Sequence, residues 1–339
     1  MRFTDLPVSA QTAYAELAEQ TRAFEAVNAL GGLQGSFQKL DRKGRGYWYF
    51  AFRDLDGKVR LSYVGPDDER VQALVRRFEE SREARPLSPQ AQAAIALGGV
   101  PVPSKHFRIV KRLGDHGFFR AGGVLVGTHA FVAFGNMLGV KWTDGVRTFD
   151  VDFAPAARNV SIAFPADIKI GVHGAFESLE MGLLPITELG GGAAAQLRPD
   201  FVTSATRSGK PVLMQDVNLA LRPLKFMEFS LEGTTQACVF GSAGACTVNI
   251  PAPERYAVHK LVIFGERAQN GRAKARKDLL QARALIDYYR ETGQARLFNT
   301  AWRDAVSRGR GWRSRAHEGR AALLATATEL DDTKLWKEN

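Results

Sequence analysis

An α/β (α+β) fold is predicted for this 339-residue chain, and three observations predict it. Residues 122–138 hold an apolar run (Val124, Leu125, Val126) that stops on Gly127. At Thr128 the pattern changes to helical spacing of Ala130, Phe131, Phe134, Met137 and Leu138, so the unit reads as strand, tight turn, helix. Residues 147–153 alternate, with Phe149, Val151 and Phe153 on one face of a strand and Thr148, Asp150 and Asp152 on the other. From residue 254 onward the pattern is helical almost throughout. The predicted organisation is an N-terminal helix-plus-meander module (1–85), a central small mixed sheet core (90–252) and a helical C-terminal domain (253–339).

Each element has a local cause. Residues 11–30 carry Tyr14, Leu17, Thr21, Phe24 and Val27 at helical spacing, and Gly31-Gly32 stops them. Three runs of β-type residues follow, separated by residues 43–46 and 54–57, which predicts a three-stranded meander. Its aromatics (Tyr47, Trp48, Tyr49, Phe52, Tyr63) are expected to pack as the core of a small sheet against the preceding helix, while the pattern leaves undecided whether the basic face grips nucleic acid. Residues 66–83 form an acid-started amphipathic helix, with Val71, Leu74, Val75 and Phe78 inward. Residues 85–89 mark a boundary, 90–97 a short helix, and Pro101 and Pro103 interrupt it. A helical segment is expected around Phe176 and Leu184, a glycine loop at 190–192, and a strand after Asp200. A further strand and then a helix are expected within 211–231, and a hairpin through Cys238 and Thr247 closes the unit.

Composition narrows the class. The 45% hydrophobic and 24% charged fractions are those of a globular protein. No apolar run approaches the roughly 20 residues that span a bilayer, and the first ten residues lack a signal pattern, so no membrane and a cytoplasmic location are expected. Cys238 and Cys246 flank a glycine-containing turn and are expected to be two small buried thiols. The six histidines show no zinc-ligand spacing. The net charge of +10 favours polyanionic partners. Residues 39–60 hold seven basic against three acidic residues, and residues 303–320 hold six arginines against two acids. The second run reads equally as a solvated face or as a place where a polyanion docks.

The chemistry-bearing residues concentrate around the first two observations. A glycine turn at a helix start lets the backbone approach a bound group and presents N–H groups to an anion. Two carboxylates side by side on a strand call for a cation between them, and oxygen ligands next to a phosphate-binding turn suit Mg²⁺. Nucleotidyl transfer needs about three carboxylates to hold two metal ions. Asp150 and Asp152 supply two, and Asp200, some 50 residues on, is the best third and a general-base candidate, with Asp216 in reserve.

These motifs together resemble the polymerase β-type nucleotidyltransferase superfamily. They are Gly127-Thr128 opening a helix, Arg147-Thr148 leading to Asp150 and Asp152, and Asp200-Phe201-Val202-Thr203. The nearer likeness is to the bacterial branch with the AbiEii abortive-infection toxins, where a later helix carries Lys-Asp; here that is Lys274, Lys277 and Asp278, preceded by His259 and Lys260. The 23 residues from Gly127 to Asp150 imply an insertion around 136–145, and Thr128 stands where serine or glycine is commoner.

The resemblance covers roughly residues 120–290 and implies an NTP substrate, two Mg²⁺ (or Mn²⁺) ions on Asp150, Asp152 and Asp200, and a triphosphate over Gly127 and Thr128 with Arg147 alongside. It implies that Lys274 or Lys277 steadies the triphosphate, that Asp278 orients a lysine or the acceptor, and that an inhibitory protein partner restrains a toxic activity. The basic meander and arginine-rich tail suit an RNA acceptor such as tRNA; a protein hydroxyl is the other acceptor class. A non-catalytic nucleic-acid-binding protein on the same scaffold is the competing reading.

Overall fold

The computed structural model describes residues 2–28, 35–53, 59–83, 87–115, 118–120, 122–143, 161–164, 200–204, 212–214, 219–266 and 272–338. Arg147, Asp150, Asp152, Asp216, the expected helical segment around Phe176 and Leu184 and the 190–192 loop lie outside the described residues.

The chain opens with β1 (Phe3–Asp5) and α1 (Val8–Asn28), the latter close to the predicted helix. The meander follows as β2 (Gly35–Arg42), β3 (Arg45–Arg53) and β4 (Val59–Pro66), an antiparallel three-stranded sheet in the order β2-β3-β4. Helices α2 (Glu69–Glu83), α3 (Ser88–Ala96) and α4 (Ser104–Asp115) lead to β5 (Val124–Val126), α5 (Gly127–Leu138) and β6 (Val140–Trp142). Strands β7 (Ser161–Phe164), β8 (Asp200–Ser204), β9 (Val212–Met214) and β10 (Leu219–Leu224) precede the short α6 (Met227–Leu231) and the hairpin β11 (Thr234–Gly241)–β12 (Gly244–Pro251). The tail is helical: α7 (Pro253–Glu266), α8 (Arg272–Glu291), α9 (Ala295–Ser307), α10 (Arg310–Leu324) and α11 (Thr333–Trp336).

A mixed seven-stranded sheet in the order β11-β12-β5-β7-β8-β10-β9 organises the fold. Strand β5 runs parallel to β12 and antiparallel to β7, while β7, β8 and β10 are mutually parallel. The hairpin is covered on both faces, as the side-chain alternation of its strands shows. Cys238, Phe240 and Ala245 face Tyr14, Leu17 and Ala18 of α1 and Ala91 and Ala94 of α3. Ala237, Val239, Cys246, Val248 and Ile250 belong instead to the main core with Phe107, Phe131, Tyr256 and Leu261. Cys238 pairs across the hairpin with Thr247, and Cys246 with Val239. The two cysteines are therefore one register step apart and point to opposite faces, which keeps them as two buried free thiols. Burial pushes the Cys238 thiol up to about 12 and the Cys246 thiol well above its ordinary range.

Several sequence expectations change in detail. Helix α1 buries Tyr14, Leu17 and Thr21 as its periodicity implies, but against the seven-stranded sheet. The meander's inward aromatics, Phe37 and Phe50, pack on Phe78 of α2, with ring centroids 5.0 and 5.7 Å away. The small sheet thus packs on the helix after it rather than the helix before it. The strand expected within 211–231 is two strands, β9 and β10, paired antiparallel. Strands β1 and β6, three residues each, pair with one another and escape pattern reading because they are too short for a period to develop. Strand β6 and the end of α5 occupy the interval where an insertion is expected. Helix α4 also went unread, although Phe107, Val110 and Leu113 recur at helical spacing and are buried.

The C-terminal helices close on the core. Helix α10 crosses α7 with backbone nearly touching: a Cβ on Gly319 would lie 2.2 Å from the Leu261 carbonyl oxygen. Trp302 and Trp336 meet edge-on at 4.8 Å, and the Trp336 indole N–H donates to the Leu330 carbonyl oxygen at 2.7 Å. Among the described residues no helix is long and apolar enough to cross a membrane.

Candidate active site

Strand β5 turns into α5 at a single residue. Gly127 has φ +68, in the left-handed region that a residue with a Cβ enters only at a cost. Val126, the cap residue, is extended and supplies no side-chain cap, so no cap side chain occupies the first N–H groups of α5. Uncapped N–H groups at the positive end of a helix dipole are the general chemistry of an anion-binding position.

The helices packed around this turn carry its charged groups. From α7, the Tyr256 hydroxyl donates to the Gly127 carbonyl oxygen at 3.0 Å and reaches Gln281 Oε1 on α8 at 2.8 Å. One turn further along α7, the Lys260 ammonium lies over the Tyr256 ring at 5.0 Å and donates to Asp278 Oδ1 at 2.6 Å. Asp278 is only 3% exposed and Lys260 9%, so the pair is buried. Lys277, beside Asp278, is half-buried. Burial, and then repulsion from Lys260, lowers its amine to about 8, against the opposing pull of Asp278. Lys274 is exposed one turn earlier on α8.

His129, in the first turn of α5, is buried, and its Nε2 lies 2.9 Å from His106 Nδ1 on α4, one ring donating to the other. Burial holds His129 down to about 3, assisted by His106 and by the positive charge of Lys277. The imidazole is therefore neutral at physiological pH. His259 is a core histidine, with Nδ1 3.1 Å from the Phe226 carbonyl oxygen.

Asp200 enters the same end of the sheet through strand register. Ser161 on β7 pairs with Val126 on β5, and Asp200 on β8 pairs with Ser161. Asp200 therefore begins its strand two positions across the sheet from the residue that precedes Gly127, about 10 Å at roughly 4.8 Å per strand. Asp150 and Asp152 lie outside the described residues, between β6 and β7 in the sequence. The structure thus ties the Gly127 turn to α7 through Tyr256, sets the Lys260–Asp278 pair one helical turn further along α7, and starts the Asp200 strand in the same sheet row as Val126. Tyr256 and Gln281 were not anticipated. The spacing of Tyr256 and Lys260, i and i+4 on one helix face, is the signal that could have pointed to the former.

A nucleotidyltransferase family model matches residues 104–307, more than half of the chain and every element from α4 through α9. The chain belongs to this nucleotidyltransferase family. No curated protein and no solved structure matches it. The family region contains the Gly127 turn, Asp150, Asp152, Asp200 and the Lys260–Asp278 pair, whereas the β2-β3-β4 meander and the last two helices lie outside it. Membership makes the chain a transferase with an NTP substrate and an α/β nucleotidyltransferase fold.

The arginine-rich stretch at 303–320 is partly neutralised from within. Arg308 pairs with Glu232 and with Asp304, Arg315 with Glu266, and Arg320 with Asp331 at 2.9 Å. Arg308 also lies 4.9 Å over the Phe229 ring and 5.5 Å over that of Trp312. Arg308, Arg315 and Arg320 thus tie this stretch to its neighbours, whereas Arg303, Arg310 and Arg313 are exposed.

Proposed function

We propose that this nucleotidyltransferase moves an NMP from an NTP to an acceptor hydroxyl, with RNA, tRNA included, as the favoured acceptor. One observation carries the reading. The Gly127 turn, with uncapped helix N–H groups, accepts from Tyr256 one helical turn before the buried Lys260–Asp278 pair, and the Asp200 strand starts in the same sheet row, which supports the reading.

The roles follow from the chemistry of each group. The α5 N–H groups and the Thr128 hydroxyl bind the triphosphate. Lys277 adds a cation whose charge a phosphate would reinforce, because an adjacent anion raises a lowered ammonium pKa. Arg147 and the exposed Lys274 extend the cationic lining. Asp278 holds the Lys260 ammonium in place, and Tyr256 ties α7 to the turn through the Gly127 carbonyl. The carboxylate chemistry of Asp150, Asp152 and Asp200 fits hard divalent cations, and the position of Asp200 across from the phosphate turn agrees with that fit. Two Mg²⁺ ions bound there, or Mn²⁺ in their place, would neutralise phosphate charge and align attacking and leaving oxygens. Asp200 is the base that accepts the acceptor hydroxyl's proton as its oxygen attacks the α-phosphorus and pyrophosphate leaves. The AbiEii-like motifs extend the proposal to a toxin or phage-defence role held in check by a protein inhibitor.

The test is incubation with each α-³²P-labelled NTP, Mg²⁺ and total bacterial RNA, beside Asp150→Ala and Asp152→Ala variants. Label entering RNA or protein, and lost in the variants, supports transfer and names the acceptor. Label entering nothing, with RNA still retained in a salt-dependent manner, would replace this reading by a non-catalytic RNA-binding one.

A further inference from the structure

We propose that the outer face of the β2-β3-β4 sheet is a platform for single-stranded RNA, an inference that rests on the part of the reading above in which RNA is this chain's partner. The two faces of this sheet are chemically distinct. On the inner face Phe37 and Phe50 pack on Phe78, and Lys39 is held by Asp67, which also accepts from the Trp48 indole N–H at 2.8 Å. On the outer face Tyr49 pairs directly with Tyr63. A register shift between Trp48 and Tyr49 sets the Tyr63 ring 6.2 Å from Tyr47 and 5.6 Å from Tyr49. Tyr63 is 57% exposed.

The cations that border these rings come from the hairpin end. The Arg42 guanidinium lies 5.6 Å over the Tyr49 ring. Arg42, Lys43 and Arg45 line, together with Tyr47, Tyr49 and Tyr63, a concavity of about 600 Å³. The turn itself is unusual in its choice of residue. Lys43 and Gly44 both have positive φ, 51° and 75°, which suits a two-residue turn of the type that prefers Asn-Gly. A lysine occupies the strained first position, where asparagine would fit with less strain, and the gain is a third cation beside the tyrosines.

A cross-strand tyrosine cluster alone would stabilise a sheet, but it would not need a basic border or an open outer face. Aromatic faces flanked by cations match a polyanion whose bases are free to stack, which is single-stranded nucleic acid. A duplex keeps its bases stacked inside and offers the rings nothing to bind. The meander lies outside the matched family region.

The test is fluorescence anisotropy of the full-length protein with a labelled single-stranded RNA of about 12 nucleotides, titrated at several salt concentrations. Tyr47→Ala combined with Tyr49→Ala is expected to raise Kd at least tenfold, about the loss of one stacked base, while the double Tyr→Phe variant binds as the wild type does. Arg42→Ala combined with Arg45→Ala is expected to reduce the slope of log affinity against log salt by about 1.4, from two phosphate contacts at roughly 0.7 each. A duplex of the same length should compete poorly. Unchanged RNA affinity in both double variants overturns the proposal, as does equal binding of duplex or an RNA-indifferent protein that instead retains an acidic protein on this face. Pyrophosphate release from NTPs with total RNA in excess reports the transfer reading separately. If release is lost in Asp150→Ala while the tyrosine variants bind RNA normally, this inference alone fails; if wild-type protein releases none while the tyrosine variants lose RNA, the transfer reading alone fails.

Discussion

The Lys260 ammonium donates to Asp278 Oδ1 at 2.6 Å between two helices that pack around the Gly127 turn. Both groups are buried, and each is the other's ion-pair partner. Asp278→Asn leaves the ammonium without its carboxylate and is expected to destabilise the fold by about 3–5 kcal/mol. Urea unfolding followed by tryptophan fluorescence measures this. The double replacement Lys260→Met with Asp278→Leu should recover most of the loss, because an apolar pair of similar volume carries no desolvation cost. A single variant as stable as the wild type would remove the pair from the list of structural anchors.

Lys277 predicts a pH dependence of nucleotide affinity. Its amine, lowered to about 8 by burial and Lys260, loses its proton as pH rises through that value, well before an ordinary lysine does. Affinity for an NTP should therefore fall between pH 7 and 9, and Lys277→Gln should bind weakly and without that dependence. Lys277→Arg, which stays charged, should keep its affinity at pH 9. Calorimetric titration at the two pH values distinguishes these outcomes. The effect on stability has a definite sign. Between about 8 and the ordinary lysine value near 10.5 the unfolded chain holds a proton that the folded chain has released, so this group makes stability rise with pH in that window.

His129 acts on acid stability in the same direction. Its folded value of about 3 lies below the ordinary 6.5, so between those limits the unfolded chain takes up a proton that the folded chain refuses. Stability is then expected to fall as pH drops from 6.5 toward 3, by up to about 1.4 kcal/mol per pH unit. His129→Gln removes this titration. Thermal melts of the two proteins at pH 7 and pH 5 should show a smaller acid shift for the variant, and equal shifts would contradict the assignment.

Gly319 sets the separation of α7 and α10. A methyl group there would meet the Leu261 carbonyl oxygen at 2.2 Å, and backbone cannot yield as a flexible side chain does. Gly319→Ala is expected to cost about 1–3 kcal/mol, the range for overpacking a close contact. Denaturant midpoints of wild type and variant check it, with no shift expected if the helices can separate freely.

Much of the local structure was legible from residue order. The turn at Gly127 follows an apolar triplet and precedes helical spacing, and the structure places β5 and α5 there. The meander and the Cys238 hairpin were visible in their alternation and turn residues. Strands β1 and β6 were not, since three residues carry no period and each is fixed by partners distant in sequence: by the other strand, more than a hundred residues away, and by the core that Phe3 and Trp142 join. Asp200 was identified as a candidate because a carboxylate opens an apolar β-type run, and its backbone does begin β8.

What the sequence by itself determined is therefore the set of segments: their periods, their turns and the residue types at each turn. Backbone dihedral preference and side-chain alternation act over a few residues, so a single chain read in order contains them. The tertiary structure alone decided that β7 lies antiparallel to β5, which aligns Val126, Ser161 and Asp200 in one row. It decided that Asp278 pairs with Lys260 rather than with Lys274 or Lys277, that Arg308 and Arg315 face internal acids, and that Tyr47, Tyr49 and Tyr63 face outward. These are contacts between residues tens to hundreds of positions apart. They depend on which buried faces fit together, a property of the packed core as a whole that no local pattern encodes.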